Sequence, residues 1–371
     1  MGEPLRIGLI GCGVISRQYL DTARRLDAIE IVAAADLRPE RAAALEASDG
    51  IRAMTVDELL ASPDVDLVLN LTIPAAHAAV ALAAIGAGKP VYGEKPLAPT
   101  TEEGRAILDA AAAAGVRVGC APDTVLGTGI QTARKAVDDG RIGTPISATA
   151  TMVTPGHERW HHDPDFYYQP GGGPLLDMGP YYVTALVHLL GPVVATMGAA
   201  SHTRATRTIG GGPREGEVVP VTTDSHVTGV LEHASGALST LFMSFDAVAT
   251  RSRWIEVHGE RGSLVAPDPN LFLGDVELQE LGTEAWTTLP VSAGYERSSR
   301  GFGVADLATT PDGAEPRAGG AIAFHVLDIM ESLLRSARTG RREVVRSTCE
   351  RPAPVPLQSL SGTDVTIPGY H

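Results

Sequence analysis

Short apolar runs alternate with helical patterns through the first third of the chain. The runs RIGLIG, IEIVAAAD, VDLVLNLT, PVYG and VRVGCA are apolar enough to be buried strands. The segments between them have helical patterns. Pro39 opens one of them, and TTEE carries the Thr and Glu of a capping box. Because strands that alternate with helices form parallel sheets with right-handed crossovers, the pattern predicts a parallel α/β domain over residues 1–124.

The pattern changes after residue 124. A helical stretch, GIQTARKAVDDGRIG, precedes several runs in which polar and apolar residues alternate, as they do in a half-exposed antiparallel sheet. Helical patterns around YYVTALVHLLG and in AIAFHVLDIMESLLRSAR accompany these strands. A chain of 371 residues also exceeds what one core usually holds. The sequence therefore predicts a second domain over residues 125–371.

Charge and composition narrow the class of protein. The formal net charge is −14, which disfavours nucleic-acid binding. The longest apolar region, VTALVHLLGPVVATMGAA, is interrupted by a histidine and a Gly-Pro pair, so it predicts a buried helix and a strand instead of a membrane span. No secretory signal pattern opens the chain. Cys12, Cys120 and Cys349 are odd in number and widely spaced, which fits a reduced, cytoplasmic protein.

The stretch GLIGCGVIS contains Gly-x-Gly-x-x-Ser between a predicted strand and a predicted helix. In this context Gly11 makes the tight turn, Gly13 lets a pyrophosphate approach the backbone, and Ser16 allows close helix–strand packing. The helix start offers free N–H groups to phosphate. A plain strand-to-helix turn is the alternative. The motif predicts a dinucleotide site whose turn residues are Gly11, Gly13, Val14 and Ile15.

Asp36 ends the second predicted strand, about 20 residues beyond the glycine motif. A carboxylate at this point accepts hydrogen bonds from the adenosine ribose and repels a 2′-phosphate, so NAD is the predicted cofactor. Arg38 follows closely and could hold such a phosphate, which leaves NADP open.

Two later loops follow predicted parallel strands and should end at the same sheet edge, where ligands bind in this architecture. The first contains Thr72, Pro74 and His77, which we expect on the nicotinamide side of a cofactor. The second is GEKP, with Glu94 and Lys95. Lysine is rare in this chain, and an ammonium group here would stabilise developing alkoxide charge on a substrate. A histidine and a lysine in solvent are the alternatives for His77 and Lys95.

The stretch GGGPLLDMGPYY predicts a third cluster at the start of a helix. Asp177 and Tyr181 are four residues apart and share a helix face if the helix begins early enough. A carboxylate beside a proton-transferring group is a working acid–base arrangement. A helix cap and a packed tyrosine are the alternative.

The segment before these glycines, GHERWHHDPDFYYQP, is rich in aromatic and imidazole rings. Trp160 and His161 are candidate substrate-binding residues, since an aromatic face commonly stacks on a sugar. His157, His161 and His162 are all candidates for a histidine that transfers the proton. A metal site is disfavoured because the segment reads as a loop and lacks an obvious fourth ligand. Asp123 follows the last strand of the first domain. We predict that it faces the cleft at the carboxyl edge of the parallel sheet and binds substrate.

The glycine turn, the EKP motif and the Asp-x-Gly element, in this order, resemble the Gfo/Idh/MocA family of NAD(P)-dependent oxidoreductases over nearly the whole chain. The resemblance implies a fold of the α/β class. An N-terminal Rossmann domain with a doubly wound parallel sheet would precede a C-terminal α/β domain with an open, mostly antiparallel sheet. It also implies that Lys95 and Asp177 are catalytic and that substrates are sugars, sugar derivatives or cyclitols.

Tyr181 departs from the family pattern, in which this position is commonly histidine. A nearby Lys95 ammonium would lower the pKa of the tyrosine, so that Tyr181 could act as acid or base. Alternatively, Tyr181 only positions the substrate, and Lys95 or another histidine moves the proton.

We therefore expect an NAD(P)-dependent dehydrogenase or reductase that moves hydride between nicotinamide and a secondary alcohol carbon of a sugar or cyclitol. Lys95 would polarise the oxygen, Tyr181 would relay the proton, and Asp177 would orient the pair. A homodimer or homotetramer through the C-terminal sheet is expected, with neither nucleic acid nor membrane as partner. An NAD-dependent glycoside hydrolase of the same family and a dinucleotide-sensing regulator without turnover stay open as alternatives.

Overall fold

The computed structural model describes residues 3–311 and 313–360. The chain divides into two compact units. The first runs to Gly127 and also takes in Gly294–Ala323 and a segment that begins at Val355, while the second comprises Thr128–Ala293 and Phe324–Pro354. The first segment ends close to the boundary expected at residue 124, but the return of the chain to the first unit at Gly294 is not part of a simple two-part division. The roles expected of the second domain, substrate binding and oligomerisation, stay predictions.

The first unit is built mainly from alternating strands and helices. They are β1 (Leu5–Ile10), α1 (Ser16–Ala23), β2 (Ile29–Ala35), α2 (Pro39–Asp49), β3 (Arg52–Ala53), α3 (Val56–Ala61), β4 (Leu67–Asn70), α4 (His77–Gly86), β5 (Val91–Gly93), α5 (Thr101–Ala114) and β6 (Val118–Cys120).

These strands form one parallel sheet in the order β3-β2-β1-β4-β5-β6. Its centre is apolar because helices cover both faces of such a sheet. Ile7, Leu9, Leu67 and Tyr92 are accordingly fully buried. The order of strands reverses direction between β1 and β4, and ligands bind at this switch point, outside the carboxyl ends of the strands. The predicted parallel domain is confirmed.

Two short elements of this unit escape the sequence pattern. The strand β3 has two residues, and the helix α3 has six, too few to show a period. The helix α3 nevertheless carries a complete capping box, in which the Thr55 side chain accepts from the Glu58 N–H and the Glu58 carboxylate accepts from the Thr55 N–H. The helix α5 begins with the Thr100 side chain accepting from the Glu103 N–H, as TTEE predicts.

The second unit holds a large mixed sheet and two long helices. Its elements begin with α6 (Thr128–Asp138), β7 (Pro145–Val153), α7 (Pro174–Leu190), β8 (Val193–Ser201), β9 (Thr206–Thr208), β10 (Val218–Pro220), β11 (His226–His233) and β12 (Leu238–Ser244). They continue with β13 (Ile255–Gly259), β14 (Gly262–Ala266), β15 (Glu277–Glu280) and β16 (Thr287–Thr288). The chain then forms α8 (Phe302–Thr309), which belongs to the first unit, followed by α9 (Gly320–Thr339) and β17 (Glu343–Val344).

The large sheet has nine strands in the order β16-β15-β14-β13-β7-β12-β11-β8-β17. Its neighbouring strands are antiparallel except for β7 and β12, which run parallel. The helix α7 packs against β7, β11 and β12. Other side chains of the sheet are exposed, among them Val194, Met197 and Leu238. The predicted antiparallel sheet with one open face is therefore confirmed.

Among the helices of the described residues, none is both long enough and apolar enough to cross a membrane.

Candidate active site

The glycine turn lies at the switch point, between the end of β1 and the start of α1. Gly11 has φ +102°, and a Cβ there would lie 2.7 Å from the carbonyl carbon and oxygen of Leu71, the residue after β4. Gly13 has no neighbouring heavy atom within 4 Å of a Cβ position. Gly11 therefore lets the two strand ends approach each other, whereas Gly13 leaves open space in front of the backbone.

The helix start beyond this turn is available to an anion. Val14 is 93% exposed, and Ile15 occupies the N-cap position of α1 with no side chain capping the first N–H groups. The first turn of α1 also lacks an acidic residue. The Ser16 hydroxyl donates to the Gly13 carbonyl oxygen at 2.7 Å, which fixes the turn. A helix end that no side chain caps, and whose first turn carries no carboxylate, suits a phosphate.

Asp36 stands immediately after β2, beside the glycine turn. Its Oδ2 accepts from the Cys12 N–H at 2.8 Å, and its Oδ1 accepts from the Arg38 N–H at 2.9 Å. The carboxylate is thus held in a fixed orientation by the backbone. The Arg38 side chain is exposed at the N-cap of α2, and Pro39 takes the first helical position as predicted.

The loop after β4 is organised by Asn70. Its Oδ1 accepts from the Thr72 hydroxyl at 2.6 Å, and its Nδ2 donates to the His77 carbonyl oxygen at 3.0 Å. Pro74 is exposed and begins a short 3₁₀ turn, Pro74–Ala76. Thr72 and Pro74 therefore lie on a shaped loop at the carboxyl end of β4.

The structure corrects the expectation for the His77 side chain, which is 2% exposed and does not line an open surface. Its Nδ1 lies 2.6 Å from the Pro96 carbonyl oxygen and its Nε2 3.0 Å from the Thr72 carbonyl oxygen. Burial lowers the pKa of the imidazole. The ring links the loop after β4 to the EKP turn, so it positions the loops on which other candidates lie.

The EKP turn follows β5. The Glu94 Oε1 accepts from the Tyr19 hydroxyl at 2.9 Å, and the Glu94 Oε2 accepts from the Lys95 N–H at 3.1 Å. The Glu94 N–H in turn donates to the Asn70 carbonyl oxygen at 2.9 Å. These bonds fix the backbone at Lys95, whose side chain is half-buried.

The structure also corrects the expectation for the Asp123 side chain. Its side chain is fully buried inside the first unit and does not face a cleft. Its Oδ2 accepts from the N–H groups of Gly301 at 2.7 Å and Gly303 at 3.0 Å. Its Oδ1 is buried and finds no hydrogen-bond partner among the described residues, and the Tyr92 hydroxyl is in the same position. The carboxylate therefore anchors the returning segment instead of a substrate.

This burial has a measurable consequence. Burial raises the pKa of Asp123 to about 6 from an ordinary 3.8. A carboxyl whose pKa rises on folding binds more protons in the folded state, so stability falls as the pH rises from 3.8 to about 6, by about 3 kcal/mol. We expect Asp123→Asn, which keeps an acceptor oxygen, to flatten this part of the curve of unfolding free energy against pH in urea titrations. Asp139→Asn, at an exposed position, is the control, and an unchanged slope in Asp123→Asn would contradict the assignment.

In the second unit, α7 begins at Pro174, early enough to include both Asp177 and Tyr181. Asp177 lies in the first turn, and its N–H donates to the Gly173 carbonyl oxygen at 3.1 Å. Its side chain is 20% exposed, whereas Tyr181 is 5% exposed. The predicted helix start is confirmed, and the carboxylate is the more accessible member of the pair.

The glycines before α7 serve the protein's own packing. A Cβ on Gly172 would lie 2.2 Å from the Phe166 carbonyl oxygen. Gly173 has φ +90°, and a Cβ there would lie 2.6 Å from the Asp224 carbonyl oxygen. These two glycines therefore let the chain approach other parts of its own backbone closely.

The segment between β7 and α7 places several rings together. Trp160 is 65% exposed, and its ring meets those of His157 and His161 at centroid distances of 5.1 and 5.3 Å. His161 is half-buried and stacks on His162 at 5.1 Å. Burial, followed by the neighbouring His162, lowers the pKa of His161. Trp160 thus offers an open aromatic surface.

His157 is the residue that sequence reasoning names only among several histidines. Its Nε2 lies 3.3 Å from the Asp177 Oδ2. No periodic pattern could identify it, because it lies in a 3₁₀ turn, His157–Arg159, within a loop. Within the described residues, no group of three or more His, Cys, Asp or Glu side chains could hold a metal ion.

Comparison with known proteins gives this geometry a family. The model of an oxidoreductase family with an NAD-binding Rossmann fold matches residues 5–121, and the model of a GFO/IDH/MocA C-terminal domain matches residues 130–265. The chain is 31% identical over 304 residues to the 1,5-anhydro-D-fructose reductase of Ensifer adhaerens, covering 80% of this chain and 86% of that protein.

A second relative is similar in sequence, and a solved structure is similar in fold. The inositol 2-dehydrogenase of Agrobacterium fabrum is 41% identical over 161 residues, which cover 41% of this chain and 46% of that protein. The crystal structure of an NAD binding oxidoreductase from Klebsiella pneumoniae shares the fold with a TM-score of 0.80 and 24% identity, covering 92% of this chain and 99% of that one. The chain therefore belongs to the Gfo/Idh/MocA family of oxidoreductases, with an NAD-binding Rossmann domain at its N-terminus.

Proposed function

We propose that this oxidoreductase interconverts a secondary alcohol and a ketone of a sugar, a sugar derivative or a cyclitol with NAD. The observation that carries the proposal is the turn after β1, where open space at Gly13, an uncapped helix start and the fixed carboxylate of Asp36 come together. The two relatives named for an anhydro sugar and for inositol support the substrate class.

The residues present fit a dinucleotide. The Cβ that Gly13 lacks would occupy the open space that a pyrophosphate needs. When bound, NAD supplies the group that accepts a hydride from an alcohol or returns it to a ketone. The residues that would hold it are the turn residues Gly11, Gly13, Val14 and Ile15, the ribose-side residues Asp36 and Arg38, and Thr72, Pro74, Glu94 and Lys95 of the next two loops, with His77 supporting those loops.

Three side chains are assigned to the substrate's reacting oxygen. The Lys95 ammonium would donate to it and stabilise the negative charge that develops as its proton leaves. The expectation from the sequence is that Tyr181 relays that proton while Asp177 orients the pair; the alternative is that the Asp177 carboxylate takes the proton itself. The accessible Asp177 carboxylate at the start of α7 supports this assignment, whereas the burial of Tyr181 limits its direct contact with a substrate.

Trp160 and His161 are assigned to substrate binding. The exposed Trp160 ring can stack on the apolar face of a sugar or cyclitol. The net charge of −14 favours a neutral polyol over a sugar phosphate.

Turnover of a substrate panel tests the proposal. The enzyme is mixed with NAD and a set of cyclitols, anhydro sugars, free sugars and aryl glycosides, and the absorbance of reduced nicotinamide is followed. Accumulation of NADH with one polyol class is the expected result. Release of sugar from an aryl glycoside without net NADH would indicate the glycoside hydrolase instead, and NADH binding without turnover would indicate a regulator.

Cofactor preference gives a second prediction. We expect Asp36→Ser to change the ratio of kcat/KM for NAD over NADP by about 10–100-fold in favour of NADP, since it removes a carboxylate that repels the 2′-phosphate. Serine keeps a hydroxyl that can accept from the Cys12 N–H. Arg38→Ala is the matched variant: a large loss of activity with NADP alone would show that Arg38 holds a phosphate and that NADP is used.

The open face of the large sheet supports a homodimer or homotetramer. Val194, Met197 and Leu238 are 42%, 53% and 49% exposed, and they lie on β8 and β12. Apolar side chains in such a position favour burial against a second copy. The mass of the protein in solution tests this, and a monomer at micromolar concentration would contradict it.

A further inference from the structure

An imidazole from the loop between β7 and α7 is paired with the candidate catalytic carboxylate. The His157 Nε2 lies 3.3 Å from the Asp177 Oδ2, and the two side chains are 10% and 20% exposed. The family resemblance expects a histidine at position 181, where this chain has a buried tyrosine. The imidazole therefore reaches the carboxylate from a different element of the same unit.

The position of His157 is fixed by a buried ionic network. Its backbone N–H donates to the Tyr168 hydroxyl at 3.0 Å, and that hydroxyl donates to the Glu158 carboxylate. Arg207 donates to Glu158 at 3.2 Å and pairs with Asp246. Arg207 and Glu158 have side chains only 1% and 5% exposed, so this network costs a great deal to disrupt and holds the backbone at residue 157 in place.

The His157 ring is surrounded by aromatic side chains, and only one of its two nitrogens has a hydrogen-bond partner among the described residues. The rings of Trp160, Tyr167 and Phe245 lie at centroid distances of 5.1, 4.5 and 4.3 Å from the His157 ring. The His157 Nδ1 is buried and has no hydrogen-bond partner in residues 3–311 and 313–360. The tautomer with its proton on Nε2 donates to Asp177 and leaves only a lone pair among the rings, whereas the opposite tautomer would bury an N–H donor without an acceptor.

We propose that His157 is a positioning residue for the reaction: its Nε2–H fixes the Asp177 carboxylate, which itself takes the proton of the substrate hydroxyl. This inference rests on the proposed function. In the oxidative direction, bound NAD would supply the acceptor for the hydride released when the carbon–hydrogen bond breaks. The hydroxyl proton goes to Asp177, and the carbon–oxygen double bond forms. In the reductive direction the same carboxyl returns the proton to the oxygen.

Several charged or titratable side chains lie close to the pair formed by His157 and Asp177. Glu158, Arg207 and Asp246 form the network beneath His157, and His161 lies beside it in the same loop. Because an N–H donor stabilises the charged form of a carboxylate, loss of the His157 donor raises the pKa of Asp177. A side chain that only fills space would leave this pKa unchanged.

Three variants separate the roles. His157→Gln keeps an N–H donor at the same reach. His157→Leu removes the donor. We expect His157→Leu to lower kcat by about 10–100-fold with little change in KM and to move the acid limb of kcat/KM to higher pH. We expect His157→Gln to stay within about 3-fold of the parent with an unmoved acid limb. His202→Leu, at an exposed position of the same unit, is the control and should match the parent.

Equal losses in the glutamine and leucine variants, with the acid limb unmoved, would overturn the proposal. The carboxyl pKa of Asp177, measured by NMR in the full-length protein with labelled aspartate, tests the pairing without turnover. A pKa that rises in His157→Leu and stays in His157→Gln is expected, and an unchanged value in both overturns the inference. If the parent shows no turnover but the pKa of Asp177 rises in His157→Leu and stays in His157→Gln, the proposed function is wrong and the pairing of the two residues stands.

Discussion

Replacement of Lys95 with methionine is expected to lower kcat/KM by about 10³-fold while NADH affinity changes little. Methionine keeps the length of the side chain and removes the ammonium, which is assigned to stabilise charge on the substrate oxygen. Loss of one such donor typically costs about 10²–10³ in kcat, which sets the size of the expected loss. Steady-state kinetics on the best substrate of the panel, with NADH titrated by fluorescence, measures both quantities.

The rarity of lysine gives this experiment its controls. The Lys135 Nζ pairs with Asp139 at 2.9 Å on an exposed face of α6, and such pairs contribute little to stability. The Lys89 Nζ donates to the carbonyl oxygens of Ser62 at 2.9 Å and Val65 at 2.7 Å. We expect Lys135→Met to match the parent and Lys89→Met to lower Tm with kcat/KM retained. Activity in Lys95→Met close to that of Lys135→Met would remove Lys95 from the chemistry.

Asp177→Asn is the other substitution with a large expected effect. Asparagine has the same shape as aspartate but cannot take a proton from a hydroxyl, so we expect kcat to fall by about 10²–10⁴-fold with KM changed much less. The fold should survive, because Asp177 is partly exposed and an amide oxygen can still accept from His157. Rapid-mixing measurement of the chemical step and steady-state kinetics both report the loss.

Asp139→Asn is the matched change at an exposed carboxylate and should leave kcat and KM within about 2-fold of the parent. A larger fall in Tm for Asp177→Asn than for Asp139→Asn, with kcat retained, would make Asp177 a structural residue. Retention of kcat without any fall in Tm would leave the proton to another group and contradict both the assignment and its pairing with His157.

Sequence pattern alone predicts the parallel domain because its signals are local. A buried strand, a Gly-x-Gly turn and a helix start follow one another within a few residues, and Asp36 follows at the expected distance. The helix α7 with Asp177 in its first turn is equally local, since the glycines and Pro174 mark its start. In each case the physical constraint acts between neighbours in the chain.

The corrected positions depend on contacts that no local pattern records. Asp123 accepts from Gly301 and Gly303, which are 178 and 180 residues further along the chain. His77 is buried because two separate loops bring their carbonyl oxygens to its ring. His157 meets Asp177 from a loop that has only short 3₁₀ turns, so the sequence favours His161 as a site residue and only the fold identifies His157 as the partner of Asp177.

The fate of the carbinol hydrogen shows directly whether the enzyme transfers hydride from the alcohol carbon to NAD. The enzyme is incubated with NAD and its best polyol substrate carrying deuterium at the reacting carbon, and the reduced cofactor is isolated and analysed by mass spectrometry. We expect one deuterium from each oxidised alcohol to appear in NADH, with formation of the ketone. Recovery of NADH without deuterium, or release of a product while the cofactor returns to its oxidised form, would contradict it.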